Sequence, residues 1–502
     1  MTVSQTEIGF ASFVAVSSLV AIAAVLSNRL TVWLRIPAPA LFLLAAAVVS
    51  AVLPQVDRLS LFSVRHLVTV ALILVLFDGG MSIGWSKFRP ALGPIVLLGV
   101  VGTLLTAAVM AVSIHYLFGV GWLSALLVGT ALAPTDPAAV FSVLDRREVV
   151  GRSGIILQGE AGANDPVGVA LMVGLLSAGS SGLFTAGTTA GGFALQMVVG
   201  GLVGLLGGGL MLLMMRRVVL PSEGLYPLQV LFAALSVYGL ATLARGSGFL
   251  AVFVAGIMLG DARAPFKREI RRFHGALASF GEILAFSLLG LVVPLRTVIA
   301  QGTWVVGLAL AVLLTFVVRP LIIGGLLTAV RLRWGERIFI VWSGLKGAMP
   351  ILLGTFILTS QVTQEVRFFD LIFIVVAFSV LVQGSLVPVV ARWCRVPTRT
   401  VPLKPWVVGI RLEQEPPGMH CFTVHEGAPA EGRPLHDLSR DEGVWISLVA
   451  RDGEQILADG QTVLRAGDEV LVASTDVRRP DIERIFEGTR GTAAAEGAGG
   501  GD

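Results

Sequence analysis

Thirteen apolar stretches, each near the roughly 20 residues that a helix needs to cross a bilayer, succeed one another between residues 8 and 391. They fall at 8–26, 36–53, 66–83, 91–116, 120–143, 155–178, 188–215, 226–243, 246–260, 277–295, 303–330, 338–358 and 368–391, joined by short loops. Only 14% of the 502 residues are charged, where soluble domains run near a quarter. An ordinary soluble enzyme is excluded, and a polytopic α-helical membrane domain over residues 1–395 is expected. No Lys or Arg precedes Arg29 and no small-residue cleavage pattern comes after the first stretch, which reads as a true span and not a removed signal peptide. From about residue 400 charges become frequent and apolar runs shorten to strand length, so a small soluble domain is expected there. The two cysteines, Cys394 and Cys421, support neither a disulfide framework nor a metal site.

Most Lys and Arg lie between spans, where they set topology. Loops after odd-numbered spans, together with the segment after the last span, hold 20 of them, among them Lys87, Arg152 and Arg271; loops after even-numbered spans hold 5. By the positive-inside rule the odd loops and the C-terminal domain are cytoplasmic and, with thirteen spans, the N-terminus is outside. The protein is expected in the cell's inner (plasma) membrane.

Two spans carry helix breakers at mid-depth. The fifth reads GTALAPTDPAAVF, with Pro134 and Pro137 around Thr135 and Asp136; the prolines free the carbonyls four residues earlier, at Thr130 and Ala133. The twelfth reads WSGLKGAMPILLG, with Gly344, Gly347 and Pro350 around Lys346. Open backbone at membrane depth is tolerated only where it lines a cavity or is packed in protein. Being seven spans apart, the two segments cross the bilayer in opposite directions. Paired interruptions of that kind mark inverted repeats and point to a transporter's binding site.

Charges inside the membrane are costly and cluster at function. The sixth span, IILQGEAGANDPVGVAL, carries Glu160 and Asp165. Asn164 shares a helix face with Glu160, whereas Asp165 lies about 140° from Glu160, so the two acids do not easily hold one ligand. Glu160 is therefore assigned a structural partner, with Lys346 the candidate, and Asp165 faces the cavity beside Thr135 and Asp136. A hydrated carboxylate at that depth holds either a proton or a metal cation. The alternative is that Asp165 is locked in a salt bridge with Arg319 of the eleventh span. Asp78, in LFDGGMSIG, is either a cavity acid or an end-of-helix residue, and Glu282 of the tenth span is expected to serve nearby basic groups.

These motifs resemble the first cation:proton antiporter family, and within it the bacterial NhaP-type potassium/proton antiporters with a cytoplasmic tail. The resemblance is carried by FDGGM at Phe77–Met81, APTDPAAVFSVL at Ala133–Leu144, EAGANDPVGVAL at Glu160–Leu171, SGLKGAMPILL at Ser343–Leu353 and LVQGSLVP at Leu381–Pro388. It implies about 13 transmembrane helices with inverted repeats and two broken, crossing helices. It also implies that Asp165 alternates between proton and cation, with Asn164 its neighbour and Thr135 and Asp136 the broken-helix ligands, and that Glu160 pairs with the basic residue of the twelfth span. Many relatives have Arg where this chain has Lys346, and a hydroxyl where it has Ala161. An Asn-Asp pair is similar to that of electroneutral one-for-one exchangers. The resemblance further implies a homodimer and transport of K⁺ or Na⁺ against H⁺, with no cofactor and no enzyme activity.

Prolines at 397, 402, 405, 416 and 417 read as a stiff linker over 396–418. The segment 404–486 resembles the C-terminal half of regulator-of-potassium-conductance domains, most clearly in LVARDGEQILADGQTVLRAGDEVLV at Leu448–Val472. A small α/β regulatory module is expected there, dimerising, binding a small ligand or only stabilising assembly, and 488–502 is expected to be disordered. Two other functions compete. A gated potassium channel or efflux pathway under the tail's control would need a carbonyl-lined filter, and no TVGYG-type segment is present. An intramembrane hydrolase built on Asp136 and Asp165 would not need paired broken helices.

Overall fold

The computed structural model describes Ile22 and residues 37–52, 60–137, 140, 147–149, 151–180, 186–262, 264–360, 367–400, 419–441, 445–451, 454–456, 459–473, 482 and 484–486. The first predicted span, apart from Ile22, lies outside the described residues, as do linker residues 401–418 and the tail from 488. The chain divides into two compact units, 1–401 and 402–502.

The first unit is helical. Its α-helices are α1 (Ala38–Val52), α2 (Leu61–Val96), α3 (Thr103–Phe118), α4 (Trp122–Leu132), α5 (Arg152–Ser180), α6 (Ala186–Arg217), α7 (Leu225–Leu243), α8 (Gly248–Asp261), α9 (Lys267–Leu291), α10 (Leu295–Ala300), α11 (Thr303–Leu313), α12 (Trp334–Trp342), α13 (Ala348–Thr359), α14 (Arg367–Phe378) and α15 (Gly384–Trp393). Seven helical stretches among the described residues are long and apolar enough to cross a membrane, and shorter apolar helices such as α4 and α13 accompany them. The third and fourth predicted spans lie in one continuous stretch, Leu61–Phe118, interrupted at Gly84, whose φ of 67° is outside the helical region. Helix starts obey local chemistry: Ser60 accepts the Ser63 N–H ahead of α2, and Ser247 accepts the Leu250 N–H ahead of α8.

Both predicted breaks are present. α4 ends at Leu132, and residues 133–136 are not helical; α12 ends at Trp342, and residues 343–347 separate it from α13. Three further stretches wind as π-helix: Leu97–Gly102, Leu314–Val318 with Pro320–Gly324, and Ser379–Gln383. Such segments occur within longer helices and are frequent at functional sites.

One expectation needs correction. Residues 398–400, assigned to the stiff linker by their neighbouring prolines, form a short strand β2 (Thr398–Thr400) antiparallel to β1 (Arg147–Val149). Thr-Arg-Thr contains no proline, so its N–H groups are free to pair with a partner strand.

The second unit is the expected α/β module. Strands β3 (Met419–Thr423), β4 (Trp445–Arg451), β5 (Glu454–Ile456) and β6 (Glu469–Ala473) form an antiparallel sheet in the order β3-β6-β4-β5, with α16 (Leu435–Asp441) between β3 and β4 in sequence. Alternate residues Phe422, Val449, Val470 and Val472 join Leu438, Leu464 and Phe486 in one apolar core. A bidentate pair ties the sheet to the turn before β6: Arg451 Nε and Nη2 donate to the Asp468 carboxylate at 2.8 Å each. The Arg465 N–H adds a third bond at 2.8 Å.

Burial alone would push the Asp468 carboxyl up, but Arg451 and the Arg465 N–H together hold it below the usual carboxylate range. The stability that this adds is complete above about pH 4, the value of an unstructured aspartate, and is lost as pH falls through the lower folded-state value. Protection from hydrogen exchange across β4 and β6 of the full-length chain, measured against the intrinsic rate at each pH, is therefore expected to fall below about pH 4, and to be lower than wild type at neutral pH in Asp468→Asn. Undiminished protection in that variant would show that the pair does not hold the sheet.

Candidate ion-binding site

A helix that stops inside a membrane leaves its last carbonyls without intrahelical donors. At both breaks here a buried cation from another segment supplies them. The end of α4 is met by Lys346, 2% exposed, whose Nζ donates to the carbonyls of Ala133 at 2.8 Å and Pro134 at 3.0 Å. The end of α12 is met by Arg319, 4% exposed, which donates from Nε to the Val341 carbonyl at 2.8 Å and from Nη2 to that of Ile340 at 3.2 Å. The breaks also bond directly, the Asp136 N–H donating to the Leu345 carbonyl at 2.8 Å.

Two glycines make the approach possible. The guanidinium of Arg319 lies where a side chain at Gly344 would be, and the carboxylate of Asp136 where one at Gly347 would be. Gly347 caps the start of α13, so the carboxylate sits at the positive end of that half-helix.

The structure separates the two acids of α5 as their angular spacing predicts but changes their partners. Glu160 pairs with Arg319, Nη2 to Oε1 at 2.9 Å, and not with Lys346. Arg319 is therefore not the partner of Asp165 either. The reason is donor geometry: the planar guanidinium reaches one carboxylate and two carbonyls at once, whereas the compact ammonium fits between two carbonyls of an open turn. On the next turn of α5, Asn164 Nδ2 donates to Thr135 Oγ1 at 2.7 Å, joining α5 to the first break. Asp165 is half-buried, and the charged groups acting on it are Asp136, of like sign, and Lys346. Among the described residues nothing donates to the buried Asn164 Oδ1, Asp165 Oδ1 or Glu160 Oε2.

Asp78 stands apart from this group. It lies beside Gly275 of α9, and its charged neighbour is Arg271. For Glu282, expected to serve nearby basic groups, the charged group acting on it is instead Asp136, of like sign. Sequence reading also missed Ser379 and Gln383, which bond to the second break from the π-helical segment; the place of Gln383 in the LVQGSLVP motif was the available signal, and Ser379, two residues before that motif, had none.

Oxygen ligands of this kind, a hydroxyl, a carboxamide oxygen and carboxylates, suit a hard cation. Thr135, Asn164, Asp165 and Asp136 fit that requirement, and the unpartnered oxygens belong to two of them. Two broken helices bonded to each other at their breaks, with a carboxylate left beside them, define an ion-translocating membrane domain of the exchanger type.

The comparisons agree with that class. The family model described as sodium/hydrogen exchanger, transmembrane, matches residues 14–393, and that of the TrkA-C domain matches residues 419–487. This chain belongs to the sodium/hydrogen exchanger family and carries a C-terminal TrkA-C domain. It is 32% identical over 422 residues to the K(+)/H(+) antiporter NhaP of Alkalimonas amylolytica, covering 83% of this chain and 73% of that one. It is 31% identical over 481 residues to the K(+)/H(+) antiporter NhaP2 of Shewanella oneidensis, covering 95% and 83%. The fold is similar to that of the sodium proton antiporter MjNhaP1 of Methanocaldococcus jannaschii, with a TM-score of 0.64 at 21% identity over 76% of this chain and 96% of that one.

Removing one member of a buried ion pair leaves the other uncompensated, at a cost of about 3–5 kcal/mol. Arg319→Met is expected to lower thermal stability in detergent sharply, and Glu160→Gln combined with Arg319→Met to recover part of the loss. A double variant as unstable as the single one would show that the carbonyl contacts of Arg319, and not its pairing with Glu160, dominate.

Proposed function

We propose that this protein is a secondary active monovalent cation:proton antiporter that exchanges cytoplasmic K⁺ or Na⁺ for external H⁺ by alternating access at Asp165. The observation that carries this reading is the contrast between the two acids of α5. Glu160 has a guanidinium at 2.9 Å on one oxygen, its other oxygen being without a donor; Asp165 has no salt bridge among the described residues, a buried oxygen without a donor and a neighbouring ammonium already engaged with two carbonyls. Asp165 is thus the acid free to trade a proton for a cation, with Asn164, Thr135 and Asp136 as the accompanying oxygen ligands. Asp78, beside the basic end of α9, acts on the approach from the cytoplasm. Glu160, Arg319 and Lys346 are structural.

The exchange is one-for-one, needs no cofactor and involves no enzymatic step. The working unit is a homodimer in the plasma membrane, with the N-terminus outside and the C-terminal domain in the cytoplasm, where that domain regulates exchange, with or without a small ligand. The names of the curated relatives favour K⁺ and that of the solved neighbour Na⁺, so the ion is settled by assay.

In everted vesicles from a strain lacking its own antiporters, addition of K⁺ or Na⁺ is expected to dissipate an acid-inside gradient, and Asp165→Asn to abolish the response. Full activity in that variant would remove Asp165 from the role. A net current per cycle in proteoliposomes would exclude one-for-one exchange, and throughput far above transporter rates would favour a channel.

A further inference from the structure

The second break is held from behind by a hydrogen-bonded group that none of the ion-site residues belongs to. Gln383 and Trp342 bond reciprocally: Gln383 Nε2 donates to the Trp342 carbonyl at 2.6 Å, and Trp342 Nε1 donates to the Gln383 carbonyl at 3.1 Å. Ser379 Oγ donates to Gln383 Oε1 at 2.9 Å and accepts the Lys346 N–H at 2.9 Å. Ser379 and Gln383 are 1% and 2% exposed, and they bound the π-helical turn Ser379–Gln383. Each partner is a group that the break has set free. The Trp342 carbonyl ends α12, and the Lys346 N–H lies in the unwound segment before α13.

The bonds form one line. Gln383 orients Ser379, Ser379 fixes the backbone of Lys346, and the Lys346 side chain holds the carbonyls of Ala133 and Pro134 next to Thr135 and Asp136. Thr135 in turn meets Asn164. A π-turn adds a residue to the helical repeat and so rotates the helix beyond it. Here the two polar side chains that bound the turn both meet the second break.

We propose that Ser379 and Gln383 are positioning residues for cation exchange: they set where the Lys346 backbone lies, and through it the geometry of the Thr135–Asp136 break. The proposal rests on the reading of that break and Asp165 as the ion site. The line of bonds acts on cation affinity and not on the proton-carrying acid itself. Its signature is a split between half-saturation and maximal rate.

The test is cation-dependent dequenching in everted vesicles, titrated with K⁺ and with Na⁺, for wild type, Ser379→Ala, Ser379→Thr, Gln383→Glu and Asp165→Asn. Ser379→Ala is expected to raise the half-saturating cation concentration about tenfold, which is about 1.4 kcal/mol, the scale of one buried hydrogen bond, with the maximal rate nearly kept. Ser379→Thr, which keeps the hydroxyl, is expected to stay near wild type. Gln383→Glu, which loses the donor to the Trp342 carbonyl, is expected to shift half-saturation in the same direction as Ser379→Ala. Hydrogen exchange of the peptide spanning 342–348 in the full-length protein is expected to rise in Ser379→Ala, and it reads the same bond if transport is lost with folding. Wild-type half-saturation in Ser379→Ala, or equal damage in Ser379→Thr, overturns the proposal. Undiminished exchange in Asp165→Asn overturns the ion-site reading instead, and the two results are separable in one experiment.

Discussion

Two half-helices that end inside the helical unit, each with its terminal carbonyls met by a buried cation, are the arrangement on which the rest of the membrane unit depends. Unsatisfied carbonyls in lipid cost several kcal/mol each, so neither the α4 end nor the α12 end would persist alone. Lys346 closes the first and Arg319 the second. The arrangement is reciprocal in part, because the cation that closes the first break is carried by the second. The Asp136–Leu345 backbone bond then joins the two breaks. Gly344 and Gly347 lack the side chains that would keep the charged groups out.

Once those cations are committed, the acids of α5 sort themselves. Arg319 extends its fork to Glu160, so one carboxylate becomes part of the scaffold. Lys346 acts on Asp165 from a position fixed by carbonyls, and Asp136 acts on it with the same sign. An acid in that setting is held in place by its helix and by Asn164's bond to Thr135, and not by a charge partner of its own. In the proposed reading that is the difference between a structural carboxylate and one available for exchange, and it comes from which cation was needed elsewhere.

The breaks were legible because proline and glycine act locally: Pro134, Pro137, Gly344 and Gly347 announce non-helical backbone whatever surrounds them. The angular separation of Glu160 and Asp165 was legible for the same reason, since it comes from helix geometry alone. Partner choice was not. Glu160 and Arg319 are 159 positions apart, and nothing local distinguishes Arg319 from Lys346 as the cation to pair with. The answer depends on which carbonyls each base meets after folding. Ser379 and Gln383 were hidden by the same rule, being ordinary polar residues until the π-turn brings both to the second break. In the C-terminal unit strand-length apolar runs were legible where β3, β4 and β6 form, while the three-residue β5, Glu-Gln-Ile, has no apolar run to show.

The two units are stabilised by different physics. The sheet of the C-terminal unit packs Phe422, Val449 and Phe486 out of water, and burial of apolar area does most of the work. Among transmembrane helices that driving force is absent, since lipid is as apolar as a neighbouring helix, and association relies on close packing and interhelical hydrogen bonds. In this chain the interhelical polar contacts around the breaks are those of the proposed ion site and its supports. Asn164–Thr135, Glu160–Arg319 and Lys346–Ala133 each join one span to another. Fold and site are therefore made of the same bonds. Apolar replacement at these positions removes both together, and only changes that keep shape while altering one donor or one charge separate what a residue holds from what it does.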